Sequence, residues 1–158
     1  MMHERPGASV EWYTPAWIFE RMAATFDLDV ASPGMAAVPW IPARACITGE
    51  SLTQMWHGFV WMNPPWGREI GRWVEKWAAH PEGVALVPVR TDTKWGQAAL
   101  LAADVTCFIA GRVTFLRPDG NEGDAPPVGV MLLGRGVRGV AAVENFARLT
   151  GLPCWVRE

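Results

Sequence analysis

Four consecutive residues, Asn63, Pro64, Pro65 and Trp66, are the part of the chain best suited to chemistry. They follow the apolar run 59–62, and an unbroken apolar run of this length predicts a strand buried on both faces. Proline has no backbone N–H for a sheet ladder, so the strand is expected to end at Asn63. The Asn63 side chain then lies at the carboxyl edge of the sheet, where open α/β sheets bind ligands.

This turn suits a flat base that carries an exocyclic amino group. The lone pair of such an amine is delocalised into the ring, which makes the nitrogen a poor nucleophile. The Asn63 side-chain oxygen and a backbone carbonyl of the turn could accept both N–H bonds and favour the tetrahedral nitrogen that attacks an electrophile. Trp66 offers a surface on which the ring could stack. From these four residues alone, a core strand ended by prolines is an equally good interpretation.

The elements that must position this turn follow from the hydrophobic patterns around it. Thr14 is a good N-cap and Pro15 suits a first helical position, while Thr93 or Asp92 can cap a later helix. Strands are predicted at 26–31, 45–48, 59–63, 84–89, 105–110, 128–133 and 154–156, and helices at 15–23, 70–78, 93–101 and 140–147. Residues 117–127, rich in Gly, Pro and acid, predict a mobile loop. Strands that alternate with helices indicate an α/β fold with a mainly parallel sheet.

Length and composition narrow the class of protein. A chain of 158 residues is long enough for one domain with a full core, here expected at residues 11–158 behind a flexible terminus at 1–10. No apolar run is long enough to cross a membrane, and the first residues lack a signal region, so we expect a cytoplasmic protein. The three cysteines have neither zinc nor disulfide spacing, and no metal site is predicted. They are expected to be buried thiols: Cys46, Cys107 and Cys154.

The net charge of the chain limits how it can bind a nucleic acid. The formal net charge is −2, which argues against a broadly basic nucleic-acid binder, so any DNA surface must be a local patch. Arg68, Arg72 and Lys76 repeat every four residues along the helix predicted after Trp66. Such a stripe is typical of a solvated helix face, although Arg68 at its start could reach a phosphate.

The turn belongs to a wider pattern. Its sequence resembles the Asn/Asp/Ser-Pro-Pro-Tyr/Trp motif of amino-group methyltransferases that use S-adenosylmethionine. Five further segments come in the order seen in phage-type DNA N-6-adenine methyltransferases: 12–15, 26–32, 90–95, 111–115 and 125–127. The resemblance covers roughly residues 11–134. It implies a Rossmann-like methyltransferase fold of nearly minimal size, S-adenosylmethionine as methyl donor and adenine in DNA as substrate. A phage-encoded protein would act in the cytoplasm of the bacterial host.

The resemblance also assigns roles to residues. The catalytic residues it implies are Asn63, Pro64, Pro65 and Trp66. The cofactor-binding residues it implies are Tyr13, Thr14, Pro15, Asp29, Ala31, Ser32, Glu50 and Leu52, with Trp56 beside Leu52 at the adenine end of the pocket. The residues expected to contact DNA are Arg68, Arg90, Thr91, Asp92, Lys94, Trp95 and Arg112.

Two features of the sequence keep other interpretations open. Many methyltransferases carry a Gly-x-Gly turn after the first strand, and residues 31–34 do not, as in other members of the phage-type group. A Trp in the last motif position also occurs in cytosine-amino enzymes, so the motif does not separate adenine from cytosine. The small size and the missing glycine turn would suit a non-catalytic DNA-binding or anti-restriction protein. No separate target-recognition domain is visible, and a homodimer is plausible.

Overall fold

The structure is a computed structural model that describes residues 12–158, so the flexible terminus predicted at 1–10 lies outside the described residues. Strands and helices alternate along most of this range. The strands are β1 Phe26–Asp29, β2 Ala43–Cys46, β3 Val60–Met62, β4 Gly83–Pro88, β5 Val105–Phe108, β6 Val130–Arg135 and β7 Trp155–Val156. The helices are α1 Ala16–Met22, α2 Ile70–Ala79, α3 Lys94–Ala102 and α4 Gly136–Thr150, with a short 3₁₀ turn at Ser51–Thr53.

One sheet joins all seven strands in the order β2-β1-β3-β4-β6-β5-β7. β2, β1, β3 and β4 are parallel, as predicted, whereas β6 is antiparallel to both β4 and β5, and β7 is antiparallel to β5. The sheet is therefore mixed, with its parallel part formed by the N-terminal strands. The carboxyl ends of β1 to β5 all lie at one edge, because β5 runs in the same direction as β4.

The helices cover both faces of the sheet. Phe59 and Trp61 lie on the face covered by α1 and α4, whereas Val60 and Met62 lie on the face covered by α2 and α3. This alternation follows from the two-residue period of a strand and explains why the whole run is apolar. The fold is a three-layer α/β/α arrangement, as expected of a Rossmann-like methyltransferase.

Most predicted element boundaries are displaced by one to four residues, and the starts of β2 and α1 show why. β2 begins two residues before the predicted start, because Ala43 is already in register with Phe26. α1 begins after Pro15, which occupies the N-cap position, and no side chain caps the helix. The Thr14 hydroxyl, predicted to be the cap, accepts a hydrogen bond from Asn63 instead.

A hairpin occupies part of the segment predicted to be a loop at 117–127. The Gly123 N–H donates to the Phe115 carbonyl and the Arg117 N–H donates to the Asn121 carbonyl, both over 2.8 Å. Gly120 has a φ of +85°, a left-handed conformation that glycine adopts without strain and that closes the tight turn. Composition alone suggested irregular chain, because Gly, Pro and acidic residues are common to loops and tight turns.

The cysteines are free, as expected, but only one is fully buried. Cys107 lies in the core, and its burial raises the pKa of the thiol to about 11. Cys46 and Cys154 are half-buried at the margins of the sheet. No helix within residues 12–158 is long and apolar enough to cross a lipid bilayer.

Candidate active site

A cavity of about 380 Å³ opens at the carboxyl ends of three neighbouring strands. The loops that follow β1, β2 and β3 line it with residues 30–33, 47–51 and 63–66, and Trp12, Tyr13 and Trp73 complete the wall. The chain leaves β1 towards β2 on one side and returns to β3 on the other, so the cavity lies at a topological switch point. Open α/β sheets bind ligands at such points, and the volume is that of a small-molecule site.

Two hydrogen bonds from the amide nitrogen fix the orientation of the Asn63 side chain. Its amide nitrogen donates to the Thr14 hydroxyl over 3.0 Å and to the Trp12 carbonyl over 3.2 Å. Both donor positions of the NH₂ group are therefore used by the segment before α1. The amide oxygen has no hydrogen-bond partner among residues 12–158, and Asn63 lines the cavity. An acceptor is thus presented where the strand ends.

The segment that holds Asn63 is itself held on two sides. Thr14 is 1 % exposed, and its carbonyl accepts from the Trp40 indole over 2.8 Å. Tyr13 pairs with Leu116 of the hairpin through two backbone hydrogen bonds of 2.8 and 2.9 Å. Trp12 packs so closely on Gly123 that a side chain there would displace the Trp12 ring. The wall of the cavity is therefore joined to the chain that follows β5.

A buried carboxyl group lies on the other side of this segment. Asp29 ends β1, is 3 % exposed and lines a small cavity of about 20 Å³ together with Thr14 and Asn63. Burial raises the pKa of Asp29 to about 6, against the opposing effect of hydrogen bonds from the Ala31 N–H and the Ser32 side chain. A cationic group placed nearby would favour the ionised form and be bound by it.

Asp27, two residues earlier, has a different environment. Its carboxylate accepts from the Phe59 N–H over 2.8 Å and pairs with Arg138 over 3.2 Å, towards the amino ends of the strands. It lies outside both cavities and ties α4 to the sheet.

At the far end of the cavity, Glu50 and Ser51 follow β2. Glu50 lies at the lining with φ 56° and ψ 27°, in the left-handed region that a non-glycine residue adopts only when its surroundings impose it. The adjoining walls are apolar and include Ile47 and Trp73. The Glu50 carboxylate can accept hydrogen bonds from hydroxyl groups of a ligand. The apolar wall beside it can pack against a flat ring of the same ligand.

Trp66 lines the cavity at the end of the turn that follows β3. Its ring packs edge-on against Phe115 with centroids 5.3 Å apart. The indole nitrogen is buried and has no hydrogen-bond partner within the described part of the chain. A buried N–H without a hydrogen-bond partner costs free energy. A ligand that accepts from the Trp66 indole, or a rotation of its ring, would recover that free energy.

Three arginines follow the carboxyl ends of β3, β4 and β5, which all lie at one edge of the sheet. Arg68, Arg90 and Arg112 come after β3, β4 and β5, and all three are exposed. Arg90 pairs with Asp92 over 3.3 Å, and the guanidinium of Arg112 lies beside Gly129. The three arginines therefore form a local basic edge on the side of the sheet where the cavity opens, on a chain whose net charge is slightly negative.

The predicted cofactor-site residues divide into those that line a cavity and those that do not, and the predicted DNA contacts lie elsewhere. Within residues 12–158 the cavities include Tyr13, Thr14, Asp29, Ala31, Ser32, Glu50 and the whole Asn63–Trp66 turn. Pro15, Leu52 and Trp56 line neither cavity: Pro15 and Trp56 are buried, and Leu52 packs on the core. Thr91, Asp92 and Lys94 are exposed, whereas Trp95 is half-buried beside Gly71 of α2.

Three contributors were missed by the sequence interpretation. Trp12 supplies the carbonyl that orients Asn63, Trp73 forms a wall of the cavity, and Lys76 holds the loop after Glu50. Trp73 was assigned only to the packing face of α2, and Lys76 to a solvated stripe. A periodic pattern identifies a helix face but not which neighbouring loop that face meets.

The comparison with known proteins agrees with this geometry. A family model described as DNA N-6-adenine-methyltransferase (Dam) matches residues 7–135, well over half of the 158-residue chain. No curated protein and no solved structure matches the chain. The family uses S-adenosylmethionine and methylates N6 of adenine in DNA, which decides between the adenine and cytosine targets that the motif had left open. The chain belongs to the DNA N-6-adenine-methyltransferase family.

Proposed function

We propose that Asn63 presents the adenine amino group for methylation, and that the cavity beside it binds S-adenosylmethionine. The observation that carries this proposal is the fixed orientation of the Asn63 amide. Its nitrogen is engaged by Trp12 and Thr14, so its oxygen is the atom available to a substrate at the cavity.

The residues around the cavity fit the chemistry of S-adenosylmethionine. Asp29 is a buried carboxyl group near one end, suited to an ammonium group directly or through water. Glu50 at the other end can accept from ribose hydroxyls, and the apolar wall with Trp73 suits an adenine ring. When bound, S-adenosylmethionine supplies an electrophilic methyl group on a positively charged sulfur.

The part of the enzyme in the reaction is to prepare the nucleophile. The Asn63 amide oxygen accepts one N–H of the adenine amine, and a backbone carbonyl of the turn accepts the other. These acceptors withdraw the lone pair from the ring and direct it outward, and their aim is set before the reaction begins. The nitrogen becomes acidic only when it has been methylated, so its proton can pass to water and no strong base is required.

The target base must leave the duplex stack to reach this turn. Trp66 borders the same turn, and its ring is a surface on which a flipped base can stack. Arg68, Arg90, Lys94 and Arg112 would hold the phosphates, with Thr91 and Asp92 in the same loop. Trp95 is half-buried, so we assign it to the support of this loop rather than to base stacking.

We also propose that residues 11–158 act as one methyltransferase domain that forms a homodimer. A single sheet spans β2 to β7, which supports one domain. At the outer edge of that sheet Trp155 and Val156 are 56 % and 51 % exposed, and Trp155 packs on the exposed Phe108. Two antiparallel edge strands can pair across a twofold axis, so β7 suits a second copy. Light scattering on the parent and on Trp155→Lys tests this proposal, which predicts a dimer and a monomer respectively.

The central proposal is tested by methyl transfer. Labelled S-adenosylmethionine and mixed-sequence DNA are incubated with the enzyme, and the modified bases are mapped. We expect N6-methyladenine, and a loss of roughly 10²–10³ in single-turnover rate for Asn63→Ala, as for removal of one preorganised polar group elsewhere.

Asn145→Ala is the matched control, because Asn145 also donates its amide to a backbone carbonyl over 3.2 Å, far from the cavity. Its transfer rate should equal that of the parent. Parent-like transfer by Asn63→Ala would show that Asn63 is only a turn residue.

A further inference from the structure

The loop at the nucleoside end of the cavity has little structure of its own. It contains one 3₁₀ turn, Ser51–Thr53, preceded by Glu50 in a left-handed conformation. Such a conformation persists only when neighbouring groups fix it. The groups that fix this loop therefore set the positions of Glu50 and Ser51 in the cavity wall.

The main anchor is Lys76 on α2. Its ammonium donates to the carbonyls of Ser51 and Leu52 over 3.0 and 3.1 Å, and also to that of Gln54. The Ser51 carbonyl also accepts from the Gln54 N–H over 3.3 Å, so Lys76 joins the 3₁₀ turn and the residue that follows it to α2. A lysine ammonium has three N–H groups, and here all three are used by one loop.

Aromatic packing holds the same loop from the side. The Trp56 indole nitrogen donates to the carbonyl of Ser51 over 3.1 Å and to its hydroxyl over 3.0 Å. The Trp56 ring stacks on Trp73, with centroids 6.3 Å apart, and the Lys76 ammonium lies 5.0 Å from the Trp56 ring. Trp73 is itself a wall of the cavity, so α2 supplies both that wall and the anchor of the loop.

We propose that Lys76 is a positioning residue that sets the affinity for S-adenosylmethionine by fixing the loop 50–54. This inference rests on the proposed binding of S-adenosylmethionine in the cavity. Lys76 does not line the cavity, so it acts through Glu50 and Ser51 and touches neither the cofactor nor the target base. Its removal should therefore weaken cofactor binding and leave the saturated transfer rate unchanged.

The test compares two substitutions on the same helix. Lys76→Met keeps the aliphatic stem and removes the donors. Arg72→Met is the matched control, because Arg72 is one turn away and, within residues 12–158, its side chain pairs only with Glu69 at the start of the same helix. S-adenosylmethionine is titrated by calorimetry, and backbone hydrogen exchange is measured over residues 49–56.

For Lys76→Met we expect binding weaker by about tenfold, faster exchange in 49–56 and a single-turnover rate at saturating cofactor within twofold of the parent. Arg72→Met should match the parent in all three measurements. Lys76→Arg, which keeps charge and donors, should bind more tightly than Lys76→Met. If Lys76→Met is not folded, Lys76→Gln takes its place.

The outcomes separate the two proposals. If the parent binds S-adenosylmethionine and Lys76→Met binds it equally well, the role of Lys76 is wrong while the cavity assignment stands. If the parent does not bind S-adenosylmethionine, the proposed cavity is wrong, and the role of Lys76 falls with it. A loss of the saturated transfer rate in Lys76→Met without a loss of affinity would also overturn the positioning role.

Discussion

Thr14 and Asn63 are 49 residues apart in the chain, and the Asn63 amide nitrogen donates to the Thr14 hydroxyl over 3.0 Å. This hydrogen bond joins the segment before α1 to the turn after β3. Together with the hydrogen bond to the Trp12 carbonyl, it decides which face of the Asn63 amide meets the cavity. The orientation of the proposed acceptor is therefore a property of two distant parts of the sequence.

Replacing Thr14 by Val should slow methyl transfer, while the volume of the side chain and the fold of the protein are kept. Val is close in volume but cannot accept from Asn63, which leaves one of the two amide N–H bonds without its partner. A neutral hydrogen bond contributes about 1 kcal/mol, so we expect a five- to tenfold lower single-turnover rate. Thr14→Ser retains the hydroxyl and should transfer at nearly the parent rate. Equal rates for Val and Ser would mean that the hydroxyl does not position Asn63.

Replacing Asn63 by Asp tests the same contact from the other side. The resembled motif often carries Asp, so the sequence alone predicts that activity survives or rises. In this structure a carboxylate oxygen would face the Trp12 carbonyl, which now accepts from the amide over 3.2 Å. Two acceptors in contact repel, so we expect a lower melting temperature and at least tenfold slower transfer. Full activity in Asn63→Asp would show that Trp12 and Thr14 can rearrange.

The proposed role of Asp29 predicts that cofactor binding depends on pH. Its pKa is raised from 3.8 to about 6 by burial, so the folded protein holds a proton that the unfolded chain has already lost. The contribution of this group to stability is thus fully present below pH 4 and is lost as the pH rises through about 6. Asn at this position cannot ionise, so Asp29→Asn should be more stable than the parent at pH 7–8, by up to about 3 kcal/mol.

The same substitution should weaken binding of S-adenosylmethionine, and binding by the parent should weaken as the pH falls below 6. Chemical denaturation and calorimetry at pH 5, 6, 7 and 8 measure both effects. Asp27→Asn is the control, since the Phe59 N–H lowers the pKa of Asp27 and the residue lies outside the cavities. It should lose stability at pH 7 and bind the cofactor normally. Unchanged cofactor affinity in Asp29→Asn would exclude Asp29 from the site.

The basic edge predicts a salt-dependent contribution to DNA binding. If Lys94 and Arg112 each contact one phosphate, each substitution by Ala should weaken binding and lower the slope of log K against log salt by about one unit. Arg44→Ala is the control, because Arg44 is exposed and pairs with Asp27, away from the cavity edge. Fluorescence anisotropy over a range of salt concentrations gives the slopes. A slope unaltered by Lys94→Ala would remove Lys94 from the interface.

Much of the fold follows from local patterns, and so does the position of the Asn63–Trp66 turn. Pro64 and Pro65 end β3 by lacking N–H groups, Thr93 caps α3 through the Gly96 N–H, and Gly151 ends α4 in a left-handed conformation. Each of these depends on residues close in sequence. The predicted helix at 70–78 is confirmed as α2, since its apolar spacing is regular.

The parts that could not be predicted depend on partners far along the chain. Thr14 has the sequence of an N-cap, yet its hydroxyl bonds to Asn63 instead. Lys76 fits a solvated stripe, yet its ammonium reaches the loop after β2. In both cases a local preference is outweighed by a contact that exists only once the sheet has formed.

The pairing of Tyr13 with Leu116 has a consequence for how the enzyme meets its two substrates. Leu116 belongs to the hairpin whose exposed tip carries Arg117 and Asp119, and Tyr13 is next to the carbonyl that orients Asn63. A DNA strand that shifts this hairpin would also shift a wall of the cavity proposed to bind S-adenosylmethionine. The two ligands are then thermodynamically coupled, and the factor by which DNA alters cofactor affinity equals the factor by which the cofactor alters DNA affinity.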